Sequence, residues 1–329
     1  MTARRPAVVV LRALGLGDFL TAVPAYRALR RHCPDHEIVL AAPGSLAPLA
    51  GWTGAIDRVL PTGALQPVRW SGPAAGLAVN LHGRGPQSHR LLAAVPAGRR
   101  IGFRCMEVPG FDGPAWQQGE HEVRRWCRLL AAVGIPCDPT DLLLTPPLPR
   151  GPAAGPTGPP VVVVHPGAAA PARRWPATRF AAVARGLAAG GWPVVITGDA
   201  AEQSLAQQVA RSARLPDDAV LAGRTGLAEL ARVVAGAALV VCGDTGVAHL
   251  ATATGTPSVL LFGPMPPAEW GPVRDLDRHV VLWSGRGGDP RGPVPHPGLL
   301  AIAVPDVLAA AHTLLARRRR YSPARGDQT

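Results

Sequence analysis

The stretch VVCGDTGVAHLATATGTPSVLLFGP, residues 240–264, carries the reading of the fold. Its two apolar runs, 239–242 and 258–262, predict strands, and the alanine-rich segment between them, from about 247 to 254, predicts a helix. The same alternation extends towards the N-terminus. Strands are expected at 161–164, 194–197 and 220–221, with helices at about 177–189, 202–212 and 227–235. A final helix is expected at 306–317, after an exposed Gly/Pro-rich loop at 283–297.

The first half repeats the pattern, with strands expected at 7–11, 37–41, 56–60 and 77–81 and helices at about 19–32 and 121–133. Pro24 lies inside the first helix and removes a backbone donor, so a late start or a bend is expected there. Between the halves, PPLPRGPAAGPTGPP at 146–160 cannot hold regular structure and reads as a linker. The division expected is 1–150 and 151–329. Strands alternating with helices make parallel sheets covered by helices. The fold class is therefore α/β, with two Rossmann-like doubly wound domains facing a central cleft. Open sheets of this kind bind ligands at the carboxyl ends of their strands. The last helix is expected to pack back on the first domain.

Composition narrows the function. The 329 residues are 47% hydrophobic and 17% charged, enough for a sizeable core. No apolar run approaches the roughly 20 residues of a membrane span. Arg4 and Arg5 precede an apolar strand, but Arg12, Gly15, Gly17 and Asp18 interrupt any signal-peptide core, so a cytoplasmic location is expected. The five cysteines are scattered and read as buried thiols. All 34 basic residues are arginine, spread along the chain, which argues against nucleic acid as a partner despite the net charge of +12. The one dense run, 317–320, suits a helix C-terminus and is compatible with peripheral contact at the inner face of a membrane.

Three motifs sit where strands give way to helices. The first is Leu14-Gly15-Leu16-Gly17-Asp18. Gly15 and Gly17 allow a tight turn and close approach of a ligand. The dinucleotide fingerprint fails because Leu20 occupies its third glycine position, and a Walker A loop is excluded by the absence of lysine. Asp18 has the chemistry of a general base, or that of a helix N-cap. The second runs from Cys242 to His249. Here the Thr245 hydroxyl and the first-turn amides near Gly246 suit a pyrophosphate, with Asp244 before them and His249 one turn on. A plain helix cap with a packed histidine is the alternative. The third is His165-Pro166-Gly167 followed by Arg173 and Arg174, which offer paired hydrogen bonds to phosphate. Trp175 reads as a packing residue. Asp275-Leu276-Asp277 reads as surface, and the histidines show no metal-ligand spacing.

Taken together, LRALGLGDFLTAVPAYRALRR (11–31), VVVHPGAAAPARRWPATRFAAVA (162–184) and the 240–264 segment resemble the ADP-heptose:lipopolysaccharide heptosyltransferases, glycosyltransferase family 9. The similarity covers nearly the whole chain. It implies a GT-B architecture and inverting transfer of a heptose or related sugar, without a metal or other cofactor, from a nucleotide diphosphate donor to a glycan or small-molecule hydroxyl. It also implies Asp18 as catalytic base, and donor binding by Asp244, Thr245, Gly246 and His249. Arg173 stands where many members carry lysine, and Glu202 is placed near the ribose. Alanines 168–170 stand where members present hydroxyls. Residues 80–88 and 99–103 are expected to shape the acceptor pocket. The rival readings are a nucleotide-sugar epimerase, a noncatalytic sugar-nucleotide-binding protein and, third, a dehydrogenase.

Overall fold

A computed structural model describes residues 5–146 and 159–321, with side chains to 318. The chain divides into two compact units, Met1–Leu144 and Thr145–Thr329. Most of the expected linker, the boundary at 150 and the side chains of Arg319 and Arg320 lie outside the described residues.

The first unit runs β1 (Ala7–Leu11), α1 (Leu16–Thr21), α2 (Val23–His32), β2 (Glu37–Ala42), α3 (Ala47–Trp52), β3 (Arg58–Pro61), β4 (Ala75–Asn80), α4 (Gln87–Ala93), β5 (Ala97–Ile101) and α5 (Glu122–Ala131). Its five strands form a parallel sheet in the order β3-β2-β1-β4-β5. Every residue of β1 is buried, as a central parallel strand requires. The chain reverses its direction of winding between β1 and β4. That reversal opens a crevice at the carboxyl ends of these two strands.

The second unit runs β6 (Val162–His165), α6 (Ala177–Ala189), β7 (Val194–Ile196), α7 (Gln203–Ala213), α8 (Leu227–Gly236), β8 (Leu239–Gly243), α9 (Gly246–Thr254), β9 (Ser258–Leu261), α10 (Pro267–Trp270), β10 (His279–Leu282), α11 (Pro297–Leu300) and α12 (Val304–Tyr321). Its parallel sheet has the order β10-β9-β8-β6-β7, and the reversal falls between β6 and β8. Helix α9 ends where Gly255 takes a left-handed conformation (φ +67°) that side chains resist, and Pro257 cannot continue a helix. Val307, Ala311, Leu314 and Leu315 of α12 are buried at helical spacing, and this face packs on α6, β8 and β9. Among the described residues, no helix is long and apolar enough to cross a membrane.

Several expectations change. The helix expected at 19–32 is two helices that break at Ala22, with Pro24 in the first turn of α2, where its missing N–H costs nothing. Strand β5, at 97–101, overlaps the first residues of the pocket loop expected at 99–103, and 279–282 form β10. The strand expected at 220–221 is a single bridge from Val220 to Ile196. Cys33, Cys127 and Cys242 are buried, whereas Cys105 and Cys137 are half-exposed, and none is in a disulfide.

Candidate active site

Immediately after β1, Arg12 is fully buried. A guanidinium without water needs a full set of partners, and this one has them. Its Nε donates to the Asp18 carbonyl at 2.6 Å and its Nη1 to the Leu81 carbonyl. Its Nη2 lies 3.0 Å from Thr21 Oγ1, 3.1 Å from Glu122 Oε1 and 3.4 Å from Asp18 Oδ1. The Trp126 ring lies beneath it, 4.6 Å from the guanidinium carbon. Glu122 is buried too, and also accepts from Trp126 Nε1 at 3.0 Å and from Arg125 Nη1. The pair is therefore compensated on both sides.

Asp18 sits at the edge of this network with its side chain 31% exposed. It is the third residue of α1, and the N-cap is Gly15. The capping role is thus taken by another residue. One face of the Asp18 carboxylate is held by Arg12 and the group still reaches solvent. A carboxylate in the first turn also sits favourably in the helix dipole. In the sequence Arg12 reads only as an interruption of an apolar run, and Glu122 carries no signal of its own. A charge directly after a buried strand was the available signal for Arg12. Nothing local marks Glu122, 110 residues away.

The end of β4 forms a second polar cluster in this unit, within the expected 80–88 stretch. Asn80 Nδ2 donates to Ser88 Oγ and to His89 Nδ1, both at 3.0 Å, and Asn80 Oδ1 accepts from the His82 amide at 2.9 Å. His89 Nε2 donates to the Phe103 carbonyl at 2.7 Å, so its Nδ1 is the acceptor. Burial lowers the His89 pKa, partly opposed by that carbonyl. Phe103, expected as part of a pocket loop, is fully buried and stacks edge-on with Trp116.

In the second unit, the register pairs His165 of β6 with Cys242 of β8, which brings the loops after these strands side by side. Arg173, on the 3-10 turn that follows His165-Pro166-Gly167, donates from Nη2 to Asp244 Oδ2 at 2.9 Å and to the Asp244 carbonyl. Asp244 is buried, and desolvation raises its pKa while Arg173 opposes the shift. Thr245 is the N-cap of α9, yet its hydroxyl makes no capping bond. Asp244 Oδ1, Thr245 Oγ1 and Arg173 Nε are all buried without a hydrogen-bond partner among the described residues. Each such group costs about 1–3 kcal/mol. Gly246 opens α9, and His249, half-buried one turn on, meets Trp270 of α10 edge-on with ring centres 5.9 Å apart.

Glu202 packs against the same strand ends. Its Oε2 accepts from the Asp199 amide at 3.1 Å and lies 3.9 Å from His165 Nε2. A side chain at Gly167 would collide with this carboxylate. His165 is buried with Nδ1 3.1 Å from Thr197 Oγ1, and burial lowers its pKa against the opposing pull of Glu202. Trp175 packs edge-on to Phe180 in the core, as its sequence context indicates. Asp275-Leu276-Asp277 lies at a 3-10 turn where Leu276 is exposed. Among the described residues no group of three or more His, Cys, Asp or Glu is placed to hold a metal ion.

The structure thus groups Arg173, Asp244, Thr245, Gly246 and His249 in the second unit with Glu202 nearby, and Asp18 with Gly15 and Gly17 in the first. Comparison with solved structures gives the fold class. The family 9 glycosyl transferase from Veillonella parvula superposes with a TM-score of 0.77 at 21% identity, covering 96% of this chain and 99% of that one. The Escherichia coli ADP-heptose LPS heptosyltransferase II gives 0.74 at 22% identity, covering 95% and 99%. The fold is that of the GT-B glycosyltransferases. The family signature described as glycosyltransferase family 9 (heptosyltransferase) matches residues 112–289, and the chain belongs to that family. Lipooligosaccharide heptosyltransferase 2 of Haemophilus influenzae is 31% identical over 169 residues, 48% of either chain. The chain spans about half the length of the curated relatives it matches.

Proposed function

We propose that the protein is an inverting glycosyltransferase that needs no metal and moves a heptose or related sugar from a nucleotide diphosphate donor of the ADP-heptose kind to a hydroxyl of a lipopolysaccharide-type glycan. The observation that carries this reading is the group of orphaned polar atoms at the start of α9. Asp244 Oδ1, Thr245 Oγ1 and Arg173 Nε are buried beside a helix N-terminus whose side-chain cap is unused. Diphosphate oxygens and sugar hydroxyls are the partners this set lacks, and the helix dipole favours the anion. Family membership supports the donor class.

In the reaction, Asp18 takes the proton of the acceptor hydroxyl as its oxygen attacks the anomeric carbon. The new C–O bond forms as the bond to the diphosphate breaks, which inverts the centre. The nucleoside diphosphate leaves with the electron pair, and Arg173 with the α9 amides offsets its growing charge. Arg12 holds Asp18 in place and Glu122 balances Arg12. The absence of a metal requirement and the inversion are taken from the family resemblance.

The test is nucleoside diphosphate release from a panel of nucleotide sugars with a pool of extracted glycans as acceptors. Acceptor-dependent release is expected from the wild type, and in Asp18→Asn a fall of about 10²- to 10⁴-fold, the usual worth of a general base, with donor binding intact. Release undiminished in Asp18→Asn removes the base. Failure of any nucleotide sugar to bind removes the whole reading.

A further inference from the structure

The loop after β4 carries a hydrogen-bond donor that finds no partner among the described residues. His82 is half-buried, and its Nδ1 accepts from the Ala13 amide at 3.1 Å. A backbone amide can only donate, so Nδ1 presents its lone pair and the neutral ring must carry its hydrogen on Nε2. Burial, reinforced by the nearby Arg12 cation, holds the His82 pKa down to about 4, so the ring is neutral in ordinary buffers. Among the described residues nothing bonds to Nε2, and this nitrogen is not enclosed by the protein.

The ring is also held in place. The His82 amide is tied to Asn80 Oδ1 at 2.9 Å, the Leu81 amide to the Leu11 carbonyl at 3.0 Å, and the Leu81 carbonyl to Arg12. The same Arg12 holds Asp18. One guanidinium therefore joins the two loops, at the β1/β4 reversal where the fold opens a crevice. The neutral ring adds no further charge beside the Arg12–Asp18 pair. It donates to a lone pair of a hydroxyl and leaves the hydroxyl's own proton for a base.

We propose that His82, through Nε2–H, is the hydrogen-bond donor that holds an oxygen of a polyhydroxylated sugar acceptor for deprotonation by Asp18. The inference rests on the assignment of Asp18 as base. It makes His82 an acceptor-binding residue with no part in holding the donor.

The test uses the full chain, ADP-heptose and water-soluble oligosaccharide from the lipopolysaccharide of a heptosyltransferase-deficient Escherichia coli strain. His82→Phe is expected to raise the acceptor KM about three- to tenfold, the worth of one uncharged hydrogen bond, with donor KM and ADP affinity unchanged. His82→Gln, which can accept from Ala13 and still donate, is expected to restore most of the loss. In parallel, NMR of 15N-histidine-labelled protein should show His82 protonated on Nε2 and not titrating from about pH 5 to 8, with a resonance that shifts on adding the oligosaccharide. An unchanged acceptor KM in a folded His82→Phe, hydrogen on Nδ1, or a resonance indifferent to the oligosaccharide overturns the proposal. Should the wild type show no turnover, the reading of the function fails, and the NMR shift alone then decides whether His82 meets the sugar.

Discussion

Asp244, the residue proposed to face the donor, also couples stability to pH through its burial. Desolvation raises its pKa above the unfolded value of about 4, and Arg173 offsets only part of this. The folded state therefore holds the proton more tightly than the unfolded chain. The stability this contributes is present at low pH and is lost as pH rises through the raised folded value. Asp244→Asn keeps an oxygen for Arg173 without the charge. It is expected to melt higher than the wild type at about pH 7.5, with the difference shrinking towards about pH 4, and to bind ADP-sugars more weakly. A difference in melting temperature that does not change with pH, or has the opposite sign, would show that Asp244 is fully compensated by Arg173. Arg12 is the complementary case, a buried charge whose partners the fold supplies, and it is held firmly enough to anchor Asp18.

Among the elements, the loops leaving β6 and β7 are fitted to one another through Gly167. The absence of a side chain there makes room for the Glu202 carboxylate, which closes on the Asp199 amide at the start of α7. Gly167→Ala is expected to destabilise the second unit by about 1–3 kcal/mol, the usual cost of overpacking. In a Glu202→Ala background most of that cost should vanish, because the collision is with the removed carboxylate. Additive effects in chemical denaturation of the single and double variants would show that the strain lies elsewhere. The two-helix start of the chain belongs to this scale as well. The Pro24 position announced a bend, but only the placement of Gly15 as N-cap showed that α1 begins before Asp18 and carries it in its first turn.

For the whole molecule, the proposal assigns the donor to the second unit and the base to the first, and linkage tests that assignment. ADP at about 100 times its Kd adds about 2.7 kcal/mol to the stability of whatever unfolds with the site, a shift of several degrees. The shift is expected to be equal in the wild type and Asp18→Asn and to be largely lost in Arg173→Ala. A loss of the ADP shift in Asp18→Asn would mean that Asp18 serves the donor. The uniform use of arginine belongs to this scale too. It gives +12 overall, and part of that charge is met within each unit, as where Arg27 and Arg31 both pair with Asp141.

Sequence alone determined the alternation of strands and helices and the strand-end position of each motif, because these follow from local periodicity and from Gly and Pro, whose effects act within a few residues. It also singled out Asp18, Arg173, Asp244, Thr245 and His249, since short motifs between a strand and a helix are contiguous in the chain. Edge strands β5 and β10 escaped it: 97–101 carries two arginines, so its pattern is not that of a buried strand. Tertiary structure alone decided that Arg12 meets Glu122, that Glu202 folds over Gly167, and that His82 is locked by Ala13 with one nitrogen left to donate. These contacts join residues dozens of positions apart, and what sets them is burial, the demand that a buried charge or amide find a partner wherever the fold brings one.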